Sequence, residues 1–419
     1  MEASEKPLIA WFLPALSPRV EFVIRTLCAE WLHIPFWIGT PSDLPPQTPY
    51  RIACGCQVAG ALHLSAHALL WMRETPFFLP EWNEEGLFPT QEGDYPYDLL
   101  AMAFYVLSLY PLYEWPYDYD AYGLYRWERL PFYEAKFWSY PFLQVHWYRI
   151  LDLLGYPYEK PPFAWEVGWD IDHPYAWKGR VGLRWWIGGL RRGDLHKRIL
   201  AQLGKLPDPY DTHEEIIRYF PPQHARFFML VSNAHRLDSL VSPTHPFWRK
   251  QIQRLLEKGY AVGLHPSYRS REEPARIQAE KTLLESYTGS PVYFSRQHYL
   301  RYFWPDTFYH LAAAGIREDY SMAFPERSGF LLGTALPTSL YDASREKPLP
   351  LRFHPVALMD QVYLKRGDKI GLAQEIQRLY AAVSETGGKL HFIWHNSTWE
   401  AAEPLRHLVQ ESRLESNLL

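Results

Sequence analysis

The stretch Phe163-Ala-Trp-Glu-Val-Gly-Trp-Asp-Ile-Asp-His-Pro-Tyr175 joins an apolar-rich run to two carboxylates at its end. Side chains alternate between the two faces of a strand, so Asp170 and Asp172 point to the same side. Pro174 cannot continue a central strand, which places the carboxylates at its C-terminal end. In α/β folds, functional sites are built at this edge. Because two like charges on one face repel, the stretch predicts either a cation site or a solvated acidic turn.

Composition and length indicate a globular protein of two domains. The 419 residues exceed one ordinary core, and the 47% hydrophobic and 21% charged fractions exclude a disordered chain. A net charge of −4 argues against nucleic acid or an anionic membrane surface as the partner. Three cysteines indicate a reducing compartment without a disulfide framework. We find no signal-like segment and no apolar stretch of bilayer length, so we expect a cytoplasmic protein.

Aromatic residues are unusually frequent, with 18 Trp, 29 Tyr and 22 Phe making up 16% of the chain. Tyr and Trp offer flat apolar faces with a polar edge, which suits stacking on sugar rings. The same rings also suit large cores and interfaces. The surplus is therefore compatible with a carbohydrate ligand without requiring one.

Residues 1–155 predict a smaller α/β domain. Its first strand is expected at residues 8–13, and Pro18 can open a helix whose apolar residues recur at helical spacing up to Trp31. Further strands are predicted at residues 35–38, 50–54 and 61–64, and a second helix at residues 98–110. The stretch 155–162, rich in Pro and Gly, then predicts a linker between domains.

From residue 156 to 419 the pattern becomes a regular alternation of strands and helices. Seven strands are predicted, at residues 164–170, 226–232, 260–265, 292–295, 315–320, 356–359 and 389–395. Helices are predicted between several of them, at residues 195–203, 246–258, 271–287, 306–314 and 370–385. Such alternation implies a parallel sheet with right-handed crossovers. About seven units, with no GxGxxG after the first strand, favour a barrel over a dinucleotide-binding fold.

Polar side chains follow most of the predicted strands of this second part. They are Asp170 and Asp172, His265, Arg296 with Gln297 and His298, Glu318 with Asp319, and His395 with Asn396. In a closed barrel these strand ends converge on one rim. A single histidine there is usually structural, but a set of carboxylate, imidazole and guanidinium groups is harder to explain in that way. Such a set could perform metal-assisted hydrolysis, with one carboxylate and histidines as ligands, a second carboxylate as base and a histidine as acid.

These residues resemble the polysaccharide deacetylases, whose NodB-homology domain is a distorted (β/α)7 barrel. The similarity spans about residues 164–400 and is closest to a divergent bacterial branch in which a domain of unknown function precedes the barrel. It rests on the motifs Asp170-Ile-Asp-His-Pro-Tyr175, Asp208-Pro-Tyr-Asp-Thr212, Gly263-Leu-His-Pro-Ser-Tyr268, Ser295-Arg-Gln-His-Tyr-Leu300, Gly315-Ile-Arg-Glu-Asp-Tyr-Ser-Met322 and Trp394-His-Asn396, and in the first part on Asp98-Leu-Leu-Ala101 and Phe104-Tyr-Val-Leu-Ser108. The resemblance implies a barrel over residues 156–419 that removes an acyl group, by N-deacetylation, from a carbohydrate or glycolipid-type substrate.

The resemblance also implies roles for four catalytic-site residues. Asp170 would be the general base, Arg296 would orient that base, and His395 would be the general acid. Asp319 would belong to the network behind the site. One departure is that Ile171 separates two aspartates that are adjacent in the deacetylases this chain resembles.

The metal site departs from the resemblance at one position. Asp172 and His265 correspond to two ligands of a divalent metal, which we expect to be zinc. A second histidine would follow four residues later, but that position is Arg269, a cation that cannot ligate. The third ligand must then come from elsewhere, with His173 and His298 as candidates. His173 could instead serve the turn before the following proline, which is the reading we favour.

Two further stretches can each be interpreted as part of a functional site or as purely structural. Asp208-Pro-Tyr-Asp-Thr212 could form a substrate-side loop, or its Asp211 or Thr212 could cap a helix. His235, Asp238 and His245 follow the second predicted strand and could line the rim, but their spacing matches no ligand pattern, so we favour a surface loop.

Two functional hypotheses therefore compete. The first is a metal-dependent hydrolase of acylated sugars. The second is a catalytically impaired barrel that binds carbohydrate or assembles with partners. They are distinguished by whether His173 or His298 can share an ion with Asp172 and His265. A different hydrolase or lyase on the same scaffold is a third possibility, since a fold does not determine a reaction.

Overall fold

The smaller of two parallel sheets is formed by the first part of the chain. The computed structural model describes residues 6–75, 78–179 and 183–416. The four strands of this sheet are β1 (Ile9–Phe12), β2 (Phe36–Gly39), β3 (Arg51–Cys54) and β4 (Leu62–Leu64). Their order across the sheet is β2-β1-β3-β4. All four residues of β1 are buried, as expected for a strand in the interior of a parallel sheet. The predicted strands of this part are thus confirmed.

Four α-helices accompany this sheet in the part of the chain that the structure describes. They are α1 (Pro18–Arg25), which continues as a π-helix over Thr26–Trp31, α2 (Leu99–Leu107), α3 (Pro111–Glu114) and α4 (Phe142–Leu153). The predicted second helix is confirmed as α2, which is apolar and buried at every position. Asp98 caps it by accepting a hydrogen bond from the Ala101 backbone N–H at 2.9 Å.

The larger sheet contains eight strands, all paired in parallel, and curls into a half-barrel. The strands are β5 (Phe163–Ile171), β6 (Ala225–Met229), β7 (Ala261–Leu264), β8 (Phe294–Ser295), β9 (Glu318–Asp319), β12 (Arg352–Phe353), β13 (Leu358–Met359) and β14 (Gly388–His395). Their order across the sheet is β12-β9-β8-β7-β6-β5-β14-β13. Two further strands, β10 (Tyr341–Asp342) and β11 (Lys347–Pro348), form a separate antiparallel pair. The α/β class with a barrel-like parallel sheet, preceded by a smaller sheet, is therefore confirmed.

Nine helices follow or connect these strands in the described residues. They are α5 (Leu183–Arg192), α6 (Leu195–Gln202), α7 (His213–Tyr219), α8 (Pro246–Glu257), α9 (Ala275–Thr288), α10 (Asp306–Ala313), α11 (Asp360–Leu364), α12 (Lys369–Thr386) and α13 (Glu403–Ser416). All five predicted helices are present. The helix predicted from residue 271 begins later, at Ala275, because Pro274 suits a helix start and not a helix interior. The sequence did not predict β12, because two residues carry no readable periodicity.

The register of the large sheet aligns the polar strand ends. His395 of β14 pairs beside Asp170 of β5, and Ser295 of β8 lies between Leu264 of β7 and Asp319 of β9. Parallel strands present their carboxyl ends at the same edge, so the residues that follow these strands emerge together. Trp169 and Trp394, which directly precede the two polar ends, are fully buried and pack these strands into the core.

The two parts of the chain share one continuous apolar core. Polar contacts also join them: the Trp31 indole N–H donates to the Thr338 hydroxyl at 3.3 Å, and the Tyr148 hydroxyl donates to the Thr386 carbonyl at 3.0 Å. Residues 155–162 contain no helix or strand. A division into domains at residues 1–155 and 156–419 stays a prediction. None of the helices in the described ranges combines the length and apolar character needed to cross a bilayer.

Candidate metal centre and active site

A cavity of about 240 Å³ opens at the C-terminal edge of the large sheet. Six of the predicted site residues line it, namely Asp170, Asp172, His173, His265, His298 and His395. They come from strand ends that are far apart in the chain, and the curl of the sheet brings them together. Two other predicted residues, Arg296 and Asp319, are fully buried behind this wall.

Asp172, His265 and His298 form a cluster that could hold a metal ion. Their candidate ligand atoms all lie within 4.8 Å of one another. His265 Nε2 is 3.2 Å from Asp172 Oδ1, and His298 Nε2 is 3.7 Å from Asp172 Oδ2. Asp170 lies next to this cluster, with its Oδ2 3.8 Å from His265 Nε2. Two imidazoles and a carboxylate are donors that zinc commonly uses.

The hydrogen bonding of His265 supports this use of the cluster. Its Nδ1 lies 2.6 Å from the Arg296 carbonyl oxygen, which can only accept, so Nδ1 carries a proton and Nε2 is the ring atom that faces Asp172. His265 Nε2 and Asp172 Oδ1 are both buried without a hydrogen-bond partner in the described structure. A cation placed between a neutral imidazole nitrogen and this carboxylate oxygen would satisfy both atoms. The residues present therefore fit a divalent metal.

Asp238 orients His298 from the side opposite the cluster. His298 Nδ1 faces Asp238 Oδ1 at 3.3 Å, and the Asp238 carboxylate also accepts backbone N–H bonds from His235 and Tyr268 at 3.0 and 2.8 Å. Burial alone would lower the pKa of His298, but Asp172 and Asp238 raise it to about 9. The prediction of a surface loop is wrong for Asp238, which is fully buried. Carboxylates in this position are typical partners of metal-binding histidines.

The pKa of Asp172 reflects the same neighbours. Burial would raise it, but the imidazoles of His298, His265 and His395 hold the pKa of this carboxyl well below its usual range. A carboxylate surrounded by three imidazoles remains a charged oxygen donor. This is the protonation state that a metal ligand requires.

Asp170 is held by a buried ion pair. Arg296 Nη1 donates to Asp170 Oδ1 at 2.7 Å and to the Gly168 carbonyl at 3.1 Å, while Arg296 Nε donates to the Tyr320 carbonyl at 3.1 Å. The guanidinium carbon also lies 4.1 Å above the Phe228 ring. These contacts orient one carboxylate oxygen toward the arginine and leave the other facing the cavity.

Gly168 gives this arginine its space, and an alanine there is expected to destabilise the fold. A Cβ atom at position 168 would lie 2.2 Å from Arg296 Nη2 and 2.5 Å from Nη1. Because the guanidinium is buried and bonded on several sides, we expect Gly168→Ala to lower the free energy of unfolding by about 1–3 kcal/mol, the usual cost of overpacking. Equilibrium unfolding in urea measures this change.

Gly188→Ala is the matched control for this prediction. Gly188 lies within α5, and the atom nearest to a Cβ there is Arg198 Nη1 at an ordinary 3.6 Å. Alanine is the better helix former by up to ~1 kcal/mol, so this control is expected to be neutral or stabilising. Equal stability of both variants and the wild type would contradict the close packing of Gly168 against Arg296.

His395 lines the same cavity and is paired with Asp360. Its Nδ1 is 2.8 Å from Asp360 Oδ1, its backbone N–H donates to Asp360 Oδ2 at 3.0 Å, and its Nε2 lies 3.7 Å from Asp172 Oδ2. Burial would lower the pKa of His395, but Asp360, followed by Asp172 and Asp170, raises it to about 10. The sequence analysis missed Asp360. The available signal was its position directly after the predicted strand at residues 356–359.

Asp319 lies outside the cavity wall. Its carboxylate accepts hydrogen bonds from the Ser295 hydroxyl at 2.9 Å and the Ser321 backbone N–H at 2.8 Å, and the Ser321 hydroxyl in turn accepts from the Gln297 N–H at 2.9 Å. Burial raises the pKa of Asp319 to about 6. This network braces the backbone on both sides of Arg296.

The two histidine candidates for the third ligand have different surroundings. His298 belongs to the cluster described above, whereas His173 lines the cavity without belonging to it. The His173 ring lies parallel to that of Tyr210 at 6.4 Å, and its carbonyl accepts a hydrogen bond from Asn396 Nδ2 at 2.9 Å. Arg269, at the position where a ligand was expected, is half exposed and lies 3.7 Å from Glu273.

Comparison with known proteins finds a family model only for the first part of the chain. Residues 9–158 match a family of unknown function, DUF7033, and no curated protein matches the chain. This range ends near residue 155, where we predict the domain boundary.

Several solved structures resemble the chain at low identity. A candidate polysaccharide deacetylase from Mycobacterium smegmatis is 15% identical over 61% of this chain and 85% of its own, with a TM-score of 0.40. A polysaccharide deacetylase from Bacillus cereus is 11% identical over 61% of this chain and 89% of its own, with a TM-score of 0.30. The IcaB protein from Ammonifex degensii is 16% identical over 39% of this chain and 86% of its own, with a TM-score of 0.22. The α/β class of this chain follows from the strand order and pairing of its own two sheets.

Proposed function

We propose that this protein is a metal-dependent hydrolase that removes the acyl group from an N-acylated sugar. One observation carries the proposal: the cavity that holds the candidate metal cluster is also lined by Asp170, which is paired with Arg296, and by His395, which is paired with Asp360. Hydrolysis of an amide needs activation of the carbonyl, a base for the attacking water and an acid for the departing amine. Each of these requirements has a candidate group around the same cavity.

Asp172, His265 and His298 would hold the metal. When bound, a divalent cation such as zinc polarises the acyl carbonyl and acidifies a water molecule. The Arg296 carbonyl, at 2.6 Å from His265 Nδ1, fixes the tautomer of that ligand, and Asp238 does the same for His298. The remaining groups perform the proton transfers.

Asp170 is the general base in this proposal and His395 the general acid. The Asp170 oxygen that faces the cavity accepts the proton of the attacking water, while Arg296 keeps the carboxylate oriented. His395 gives its Nε2 proton to the amine nitrogen as the C–N bond breaks, and Asp360 holds the ring through Nδ1. The products are a carboxylate and a free amine, so one water is consumed for each bond cleaved.

The walls of the cavity support an acylated sugar as the substrate class. Leu300, Met359 and Ile393 form an apolar patch beside the polar cluster, which suits a short acyl chain. The Tyr299 ring also lines the cavity and stacks at 6.0 Å on that of Tyr122, which is 52% exposed. Half-exposed tyrosine faces are suited to stacking on a sugar ring.

Zinc is expected both to stabilise the protein and to be required for acetate release. A ligand present at 100 times its Kd stabilises the native state by about 2.7 kcal/mol, so zinc should raise the Tm of chelator-treated protein. Acetate released from N-acetylated chito-oligosaccharides should disappear after chelation and return when zinc is restored. The matched control is Asp172→Asn, in which zinc should neither raise the Tm nor restore acetate release.

The competing function makes a different prediction for the same experiment. A carbohydrate-binding barrel without catalysis would bind the oligosaccharides and release no acetate at any zinc concentration. That outcome, together with an unchanged Tm on zinc addition, would contradict the proposed hydrolase.

A further inference from the structure

A turn from the first part of the chain forms part of the cavity wall. Leu124 lines the cavity, although it lies within residues 9–158, which match the family of unknown function, and not in the large sheet. The turn spans residues 119–125, because Tyr119 and Tyr125 form an antiparallel bridge at its base. The proposed active site is therefore incomplete without this turn.

Hydrogen bonds within the turn fix its conformation. Asp120 Oδ1 accepts the backbone N–H bonds of Tyr122 and Leu124 at 2.8 and 2.9 Å, and the Asp120 N–H donates to the Leu124 carbonyl at 2.9 Å. Gly123 adopts a φ of +80°, in the left-handed region that glycine reaches without strain. The position of the Leu124 side chain is thus set within the turn.

Two arginines and a tyrosine of the second part hold the turn in place. Arg271 Nη1 donates to the Gly123 carbonyl at 2.6 Å, and the Tyr268 hydroxyl donates to the Tyr122 carbonyl at 2.9 Å. A Cβ atom on Gly123 would lie 2.8 Å from Arg301 Nε, so the contact admits no side chain. Tyr268 is only three residues beyond His265, which ties the turn directly to the metal cluster.

The Leu124 side chain completes the apolar patch of the cavity. It packs with Met359 against the buried cluster that contains Leu300 and Ile393. In the proposed reaction this patch receives the acyl chain, and the partly buried Leu124 forms part of its wall. A longer acyl chain would have to occupy the volume that the leucine fills.

We propose that Leu124 is a specificity-determining residue that limits the length of the acyl group this protein removes. The inference rests on the proposed function and extends it, because it assigns the first part of the chain a role in substrate selection. A methylene that is accommodated or rejected by an apolar pocket changes kcat/KM by roughly 10- to 200-fold. Truncating Leu124 should therefore relax the preference for acetyl over longer acyl groups.

The test compares para-nitrophenyl acetate and para-nitrophenyl butyrate as substrates of the zinc-loaded full chain, with Asp170→Asn as the background. We expect the wild type to favour acetate, and Leu124→Ala to shift the acetate-to-butyrate ratio of kcat/KM by about tenfold or more toward butyrate. Leu124→Phe should shift the ratio in the opposite direction. The matched control is Tyr117→Ala, since Tyr117 lies near the same turn, is 82% exposed and does not line the cavity.

The outcomes separate this inference from the proposed function. An unchanged ratio in both Leu124 variants, in protein that binds zinc as the wild type does, overturns the inference and leaves the hydrolase intact. Should Leu124→Ala fail to fold, the ratio in Leu124→Phe decides the question. Absence of zinc-dependent acetate release from N-acetylated chito-oligosaccharides by the wild type, with an unchanged Tm on zinc addition, overturns the proposed function and the inference with it.

Discussion

Replacing Asp170 by asparagine is expected to lower kcat for deacetylation by about 10²- to 10⁴-fold, the range that a positioned general base contributes. The asparagine amide keeps the size of the carboxylate and can still accept the hydrogen bond that Arg296 donates at 2.7 Å. It cannot take a proton from water. Because the buried Arg296 then lacks its counter-charge, we expect the free energy of unfolding to fall by about 3–5 kcal/mol. Zinc content should change little, so kcat is compared per mole of folded, zinc-loaded protein. Acetate release under saturating substrate measures kcat.

Asp319→Asn is the control for this prediction. Asp319 is equally buried, but its carboxylate contacts Ser295 and Ser321 behind the cavity wall. A residue that acts only by positioning its neighbours should cost less in kcat than the base itself. If both asparagine variants lost the same activity, or if Asp170→Asn retained more than a tenth of kcat, Asp170 would not be the base.

Replacing His298 by alanine is expected to weaken zinc binding by more than about 100-fold, because loss of a mere outer-shell partner already costs 10- to 100-fold. His298 Nε2 faces Asp172 at 3.7 Å and belongs to the only cluster of three candidate ligands found within residues 6–75, 78–179 and 183–416. Asp172 and His265 alone would leave the ion with two protein ligands. Competition against a chromogenic zinc chelator measures the change in Kd.

His173→Ala tests the other candidate for the third ligand. His173 also lines the cavity, but it lies outside the cluster, so zinc affinity should stay within a few-fold of wild type. Asp238→Asn should be intermediate, since it alters only the partner of His298 Nδ1 and falls in the roughly 10- to 100-fold range of outer-shell substitutions. A larger loss in His173→Ala than in His298→Ala would reverse our assignment of the ligand.

Much of the second part of the fold was predictable because its elements carry local signals. The seven predicted strands correspond to seven of the eight strands of the large sheet, since runs of apolar residues bounded by turns are readable from the chain. Asp170 and Asp172 were readable as a pair because side chains alternate along a strand, and the two residues lie at the end of β5 and directly after it. The eighth strand, Arg352–Phe353, is too short to leave such a pattern.

The supporting carboxylates were not predictable in the same way. Asp238 lies in the loop well after β6, and Asp360 is the first residue of α11, directly after β13. Neither residue matches a ligand spacing. Their roles as partners of His298 and His395 depend on contacts between residues that are far apart in the chain. For the same reason, nothing in the sequence around Leu124 indicated that it reaches the cavity.

By itself, the sequence determined the α/β class, the approximate strands and the set of polar residues at their ends, because these depend on periodicity within a few residues. Only the tertiary structure decided which of these residues meet. The curl of the large sheet brings His298, and not Arg269, next to Asp172 and His265. The packing of the first part of the chain on this sheet places the turn that carries Leu124 at the same cavity. Such contacts depend on how strands and crossovers pack in three dimensions, which local spacing does not encode.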